Sequence, residues 1–300
     1  VISTSDGATL AGLYDADPAR AAAAAQEFGC RAFTSLDELS HAVRAAVVAV
    51  PTTAHRDVAC QLMEAGLDVL VEKPIAVTPA QAHEMNQTAS SHGRVLQVGH
   101  LERFNPAVEV ARKLLTLPLF FEIHRLSVFT PRSLDVDVVA DLMIHDLDIL
   151  LSMTGAMPVE VRAAGIPVLS HKADIANVRL AFESGCIANL TASRVSTEKV
   201  RKLRFFQPRQ YVSIDYARQE CVSVSVGDDH AINYHPIPVQ KQEPLRRQFD
   251  SFLNSVQMRT RPQVDGEAAG RALELAHMIV HEMDLHGQVV AHSLAAASIR

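Results

Sequence analysis

The sequence predicts an α/β protein whose two halves are built differently. In the first hundred residues, short apolar runs alternate with helix signals, which is the pattern of a doubly wound parallel sheet. Beyond residue 155, extended segments follow one another without intervening helices, which favours a second α+β domain with a largely antiparallel sheet. We therefore expect two domains, over residues 1–101 and 102–300, and the closing helices could pack back on the first.

Turn and capping residues define the elements of the first half. Asp17 is expected to cap a helix that starts at Pro18 and ends at Gly29. Ser35 and Glu38 have the spacing of a capping box for the next helix. The expected strands are apolar runs, of which the second should be fully buried: Thr9–Tyr14, Ala46–Val50, Leu67–Val71 and Arg94–Gly99.

In the second half, Asn105-Pro106 opens a helix, and a later helix that contains Asp141 should end at Gly155. The expected strands cover residues 158–168, 175–183, 186–194, 201–207, 210–216, 220–226 and 232–239. Two closing helices are expected over residues 243–256 and 267–286.

Composition excludes several classes of protein. A formal net charge of -6 argues against a nucleic-acid surface. No apolar run approaches the ~20 residues that span a bilayer, and the first residues do not resemble a signal peptide. The four cysteines are not spaced as disulfide or zinc motifs, and the sequence contains neither HxH nor HExxH. We expect a cytoplasmic protein with reduced thiols and no metal, membrane or nucleic-acid partner.

Two motifs carry the chemistry. Lys73 follows the apolar run that ends at Val71, so it should lie at the carboxyl edge of the sheet, where open α/β sheets bind ligands. Asp141, His145 and Asp148 are spaced i, i+4 and i+7, which places them on one face of an otherwise apolar helix. Buried ionisable groups need partners or a function, so these residues predict an acid/base site.

Asp15 follows the first expected strand, where dinucleotide-binding folds place the acid that accepts from the ribose hydroxyls. The glycine-rich loop should precede this acid by ~20 residues, so we expect that loop and its strand to be missing from the sequence. A carboxylate here repels a 2′-phosphate, which favours NAD over NADP, although Arg20 is nearby. A plain helix-capping role is the alternative for Asp15.

The segment Pro51-Thr52-Thr53-Ala54-His55 follows a buried strand and should reach the same edge. Pro51, Thr52 and His55 are therefore candidates for the nicotinamide pocket, together with Glu72 and Lys73. A turn that starts a helix, with His55 on the helix surface, is the alternative.

With these residues, the chain resembles the glucose-fructose oxidoreductase, inositol dehydrogenase and MocA family over nearly its whole length. The most specific marks are Glu72-Lys73-Pro74 and the helix with Asp141, His145 and Asp148. The resemblance implies a Rossmann dinucleotide-binding domain and a substrate-binding domain with an open, mostly antiparallel sheet. It also implies that Lys73, Asp141 and His145 form the catalytic set, and that the sheet makes a homo-oligomer, a dimer or tetramer.

Within the family, three stretches are most similar to the bacterial UDP-N-acetylglucosamine 3-dehydrogenases associated with amino-sugar lipid A. They are Gln97–Pro106, His124–Ser127 and Ala188–Arg194. The expected reaction is NAD-dependent oxidation of a sugar-nucleotide ring hydroxyl, here UDP-N-acetylglucosamine to its 3-keto form. In this reaction His145 would act as base, Asp141 would orient it, and Lys73 would hydrogen-bond the reacting oxygen.

Five further residues are candidates for substrate contacts. Arg103, Asn105 and Asp148 could hold hydroxyls, whereas Arg125 and Arg194 could meet a phosphate.

Two other functions stay open. The chain could be an inositol or simple-sugar dehydrogenase, or a non-catalytic binding or regulatory protein on the same fold. The missing glycine loop favours the second alternative, and the intact lysine, aspartate and histidine oppose it.

Overall fold

The computed structural model describes residues 1–130 and 136–298, which form two compact units. The first unit comprises Val1–Leu101 and Glu243–Gly270, and the second comprises Glu102–Gln242 and the chain from Arg271 onward. No helix among the described residues combines the length and the apolar character needed to cross a membrane.

The first unit alternates strands and helices, as expected. Its elements are β1 (Gly12–Leu13), α1 (Pro18–Phe28), β2 (Arg31–Ala32), α2 (Leu36–Ala42), β3 (Ala45–Val48), α3 (Thr52–Glu64), β4 (Asp68–Val71), α4 (Pro79–Ser91) and β5 (Leu96–Val98). Strands β1 and β2 pair in parallel, and β3, β4 and β5 form a parallel sheet in that order. The α/β reading of this half is therefore confirmed.

The caps of α1 are those that the sequence predicts. The Asp17 carboxylate accepts from two amides of the first turn, and the helix ends at Gly29, whose φ of 63° is left-handed. The capping box of α2 is only half formed. The Ser35 hydroxyl accepts from the Glu38 amide, but the Glu38 carboxylate binds the amide and hydroxyl of Thr34 instead of reaching back to Ser35.

The core of the first unit is centred on β4, whose four residues are all buried. Leu70 and Val95 pack against Phe249 and Phe252 of α7 (Pro244–Met258). The expectation that the preceding strand is fully buried is wrong, because Val47 of β3 is 39% exposed.

The second unit contains an eight-stranded sheet. Its elements are α5 (Pro106–Leu114), β6 (Phe120–Val128), α6 (Ile144–Thr154), β7 (Glu160–Ile166), β8 (Ile175–Ala181), β9 (Ile187–Ser196), β10 (Val200–Gln207), β11 (Gln210–Asp215), β12 (Glu220–Val226), β13 (Ile232–Ile237) and α8 (Gly266–Ser298), which starts in the first unit. The strand order is β13-β12-β11-β10-β6-β9-β8-β7, and only the β6–β9 pair is parallel. The mostly antiparallel sheet is thus confirmed.

The sequence did not predict β6, although this strand lies in the middle of the sheet. Its buried positions are Phe121, Ile123 and Arg125, so a charged residue takes a place where alternation requires an apolar one. Because a buried arginine interrupts the apolar alternation, hydrophobic periodicity does not predict this strand. The buried charge is stable only with a partner that the tertiary structure supplies.

The helix that contains Asp141 also differs from the expectation. Residues Val139–Met143 form a π-helical turn, and regular α-helix begins only at Ile144. The expected end at Gly155 is confirmed, with φ of 72°. Asp141 therefore lies in the wider turn, so it does not continue the α-helical stripe of His145 and Asp148.

The four cysteines are free, and three of them are buried. Burial raises the pKa of Cys186 and of Cys221 to about 11 in each case. These thiols are neutral at physiological pH, so they are poor nucleophiles.

Candidate functional site

In the first unit, the loops that follow β3 and β4 lie at one edge of the sheet, because both strands are parallel. Glu72 is joined to this sheet by its amide, which donates to the Val48 carbonyl over 2.9 Å. Its carboxylate lies directly against the backbone of Gly99. A Cβ on Gly99 would be 2.8 Å from Glu72 Oε2, so only glycine allows this approach.

Lys73 follows on the same loop and is half-buried. Its peptide bond to Pro74 is cis. The carbonyl of Pro74 accepts from the ring of His55, at 2.9 Å from Nδ1, and the other ring nitrogen of His55 is 2.9 Å from the Val50 carbonyl. One imidazole therefore bridges the loop after β3 and the loop that carries Lys73.

This bridge corrects the expectation for His55. The side chain is only 1% exposed, so it is neither a helix-surface residue nor a wall of a pocket. Its neighbours Pro51, exposed before α3, and Thr52, half-buried at the first position of α3, stay candidates for cofactor contacts.

Asp15 takes part in two contacts through the same oxygen. Its Oδ1 accepts from the Asp17 amide at 2.8 Å and from Arg20 Nη2 at 3.1 Å. Asp15 thus caps the turn before α1, which is the alternative that the sequence allows. The partner Arg20 has a side chain that is 71% exposed, so this ion pair is weak in water.

In the second unit, Asp141 and His145 are both half-buried, whereas Asp148 is 1% exposed. The segment begins at Asp137, whose carboxylate accepts from the amides of Val139 and Ala140 at 2.8 and 2.9 Å. A π-helical turn is often found at functional sites, and here it contains Asp141.

Arg125 of β6 binds Asp146, the residue that follows His145 in α6. Its Nε and Nη2 donate to the two carboxylate oxygens over 2.6 and 2.8 Å, and its Nη1 donates to Glu102 Oε1 over 3.2 Å. Burial by itself would lower the pKa of Arg125, but Asp146 and Glu102 outweigh it and raise that pKa. The Tyr216 ring lies 5.4 Å from the guanidinium carbon. Arg125 is therefore the centre of a buried ion-pair cluster.

Arg194 makes a second buried ion pair, with Asp174 at 2.9 Å. Its Nη2 also donates to the Val136 carbonyl at 2.7 Å, just before the Asp141 segment. Asp174 is fully buried and accepts from the amides of residues 168–170. Burial alone would raise the pKa of Asp174, but the donors from Leu169, Ser170 and Val168 lower it well below its usual range.

These contacts correct the expectation that Arg125 and Arg194 meet a phosphate, because each guanidinium is buried against an internal carboxylate. Asp146 is 2% exposed, and both of its carboxylate oxygens accept from Arg125.

Arg103 and Asn105 also have internal partners. Arg103 Nη1 donates to the Asp148 carbonyl over 3.2 Å and lies 3.4 Å from Asp148 Oδ1. Asn105 caps α5 through the Ala107 amide and donates to the Tyr216 carbonyl over 3.0 Å. Neither side chain is more than 8% exposed, so their expected contacts with substrate hydroxyls are not supported. Asp148 is 1% exposed, and its Oδ2 is buried without a hydrogen-bond partner among the described residues, so its expected contact with a substrate hydroxyl is likewise not supported.

Sequence reasoning missed two buried acids, Glu102 and Asp174. A signal was present only for Asp174, because Arg194 lies in a predicted strand and a buried guanidinium requires a carboxylate. The sequence cannot say which of the many acids supplies it. Among the described residues, no group of three or more His, Cys, Asp or Glu side chains is arranged to hold a metal ion.

Comparison with known proteins gives consistent matches over both units. The GFO/IDH/MocA oxidoreductase family with an NAD-binding Rossmann fold matches residues 1–100, and the GFO/IDH/MocA C-terminal domain matches residues 122–210. UDP-N-acetylglucosamine 3-dehydrogenase of Acidithiobacillus ferrooxidans is 37% identical over 89% of this chain and 87% of its own length. Inositol 2-dehydrogenase of Rhizobium meliloti is 25% identical over 94% of this chain and 91% of its own.

A solved structure of the Acidithiobacillus ferrooxidans enzyme superposes with a TM-score of 0.88 at 36% identity, covering 92% of this chain and 90% of that one. An oxidoreductase domain protein from Kribbella flavida has the same fold, with a TM-score of 0.83 at 19% identity over 91% and 88% of the two chains.

Proposed function

Because the chain belongs to the GFO/IDH/MocA family of oxidoreductases, we propose that it is an NAD-dependent dehydrogenase of a sugar nucleotide. The proposed reaction oxidises UDP-N-acetylglucosamine to its 3-keto form. The observation that carries this proposal is the 37% identity, over 89% of the chain, with a dehydrogenase of that substrate. A supply of amino sugar for lipid A, a cytoplasmic location and a homo-oligomer built through the eight-stranded sheet are parts of the same proposal.

The first unit fits a nicotinamide dinucleotide. The Glu72 carboxylate and Lys73 lie at the carboxyl edge of the parallel sheet, and Asp15 follows β1. We assign Asp15, Pro51, Thr52, Glu72 and Lys73 to cofactor binding. The negative charge of Asp15 favours NAD over NADP, since it repels a 2′-phosphate. The bound cofactor would supply a hydride acceptor.

The catalytic roles follow from the chemistry of the side chains. His145 removes the hydroxyl proton, because an imidazole is suited to proton transfer near neutral pH. Asp141 orients His145 and stabilises its protonated form. Lys73 donates a hydrogen bond to the reacting oxygen and offsets the negative charge that develops there.

The test is steady-state assay of NADH formation by absorbance. We expect turnover of NAD⁺ with UDP-N-acetylglucosamine and none with free N-acetylglucosamine or myo-inositol at matched concentrations. Equal or better turnover of the free sugars would exclude the sugar-nucleotide assignment and leave the dehydrogenase assignment intact. Absence of turnover with all three would contradict both.

A further inference from the structure

The buried cluster around Arg125 has a second arginine at its margin, Arg201 of β10. Arg201 is the direct cross-strand partner of Arg125 in the β6–β10 pair. Alternation places it on the same face as Leu203 and Phe205, which are fully buried. Its own side chain is 32% exposed. Arg201 thus lies where the interior of this face reaches solvent.

The carboxylates of the cluster are committed to other donors. Both oxygens of Asp146 accept from Arg125. Glu102 Oε1 accepts from Arg125, and its Oε2 accepts from Asn105 over 3.2 Å. Arg201 comes only to 3.7 Å from Glu102 Oε1, which is longer than a hydrogen bond. Its Nε is buried and lacks a hydrogen-bond partner within the part of the chain that the structure describes.

Of the two arginines in the cluster, Arg201 is the more weakly paired, at 3.7 Å from Glu102 against 2.6 Å between Arg125 and Asp146. Like charges directly opposite each other on paired strands repel, and Arg201 faces Arg125 in this way. Burial, and then the charge of Arg125, lower the pKa of Arg201, and the carboxylates of Glu102 and Asp146 offset only part of this. An anion that approaches from the exposed side would offset both effects, and the planar guanidinium offers paired donors that match a phosphate.

We propose that Arg201 binds a phosphate oxygen of the sugar-nucleotide substrate. This inference rests on the proposed function and adds a specificity residue to it. It also replaces Arg125 and Arg194, because their guanidiniums are bound to Asp146 and Asp174. Free sugars lack the phosphate, so Arg201 would discriminate against them.

Arg204 provides a matched control on the same strand. Its side chain is 36% exposed, similar to Arg201, and its Nε likewise has no partner among the described residues. Two differences separate them. Arg204 lies on the opposite face of β10 by alternation, and its Nη1 donates to Glu122 over 2.9 Å. Loss of charge is therefore the same in Arg201→Met and Arg204→Met, but only the first removes the proposed phosphate contact.

The experiment measures the KM for UDP-N-acetylglucosamine at saturating NAD⁺, and the affinity for UDP by calorimetry. A hydrogen bond to a charged group contributes about 1.5–3 kcal/mol, so Arg201→Met should raise KM and the Kd of UDP by about 10- to 100-fold. Its kcat and the KM for NAD⁺ should stay within about threefold of wild type. Arg204→Met should match wild type in all four quantities.

The outcomes separate the two proposals. An Arg201→Met enzyme with wild-type KM and UDP affinity would overturn the role of Arg201, as would equal losses in both variants. A wild-type protein that neither turns over UDP-N-acetylglucosamine nor binds UDP would overturn the proposed function as well. If Arg201→Met does not fold, Arg201→Lys decides, because it keeps the charge without the paired donors. A raised KM in that variant supports the assignment, and an unchanged KM rejects it.

Discussion

The two regions that supply the proposed catalytic residues are held in place by different interactions. In the first unit, the loop with Lys73 is tied by hydrogen bonds to backbone carbonyls, above all through the His55 bridge. In the second unit, the segment with Asp141 and His145 is surrounded by buried ion pairs, of which Arg125–Asp146 is the most complete. Hydrogen bonds to backbone carbonyls fix the loop, whereas buried ion pairs fix a helix only if every partner is present.

The same difference explains why Arg125 and Arg194 bind internal carboxylates instead of the phosphate that the sequence predicts. An arginine in a sequence with a catalytic motif suggests a substrate anion, and the sequence does not say which acid lies beside that arginine in the fold. Arg125 instead holds α6 through its ion pair with Asp146. Arg194 holds the carbonyl of Val136, just before the segment with Asp141. Variants in each region test whether the two kinds of interaction differ in this way.

The largest effect is expected for the proposed acid/base groups in both regions. Lys73→Ala and His145→Ala should each reduce kcat by about 10²- to 10⁴-fold, the usual effect of a positioned acid or base. The KM for NAD⁺ should change far less in His145→Ala, since His145 is not assigned to cofactor binding. Exposed Lys113 and half-buried His124 provide control alanine variants. Near-native kcat in both catalytic variants would contradict the assignment.

A large loss of stability is expected when one partner of the buried pair is removed. Arg125→Met leaves Asp146 buried and unpaired, so the free energy of unfolding in urea should fall by about 3–5 kcal/mol. The double variant Arg125→Met/Asp146→Leu should recover part of this loss, since no charge of that pair remains.

The corresponding change in the first unit should be smaller. His55→Leu leaves two carbonyls without their ring partner, which predicts a loss of about 1–3 kcal/mol. A loss for His55→Leu as large as that for Arg125→Met would show that the His55 bridge and the ion pair do not differ as proposed.

Asp174 should contribute a stability that depends on pH. Its pKa is lowered in the folded protein, so its contribution is complete above the unfolded value of about 3.9 and is lost as pH falls below it. Asp174→Asn should cost about 1–3 kcal/mol at pH 7 and should flatten the decline of the unfolding free energy as the pH falls below about 4. Asp228→Asn, at an exposed position, should leave both unchanged. A slope equal to wild type in Asp174→Asn would disprove this role.

The smallest effect is expected at Asp15, because its surroundings are solvated. Exposed charge pairs contribute about 0.2–1 kcal/mol, so Asp15→Asn should shift the ratio of kcat/KM for NAD⁺ and NADP⁺ toward NADP⁺ by no more than about fivefold. Arg20→Ala should shift the ratio in the opposite direction. An unchanged ratio in Asp15→Asn would leave Asp15 with its helix-capping role alone.

The sequence by itself determined the features that depend on neighbours a few positions apart. The cap of α1 at Asp17, its end at Gly29 and the end of α6 at Gly155 all follow from the conformations that single residues favour. The position of Lys73 after β4 follows from the length of one apolar run. The family resemblance also rests on such short motifs.

Only the tertiary structure decided which charges meet. The pairs Arg125–Asp146 and Arg194–Asp174 join residues 21 and 20 positions apart, and the Arg103 contact with Asp148 spans 45. Strand β6 and the π-helical turn at Asp141 also depend on packing. Arg125 breaks the apolar alternation that would predict β6, and the sequence around Asp141 predicts a regular α-helix. The physical reason is that a buried charge is stable only beside its partner, and the fold chooses that partner from all the acids of the chain. Arg201 gained its proposed role in the same way, from where it lies next to Arg125.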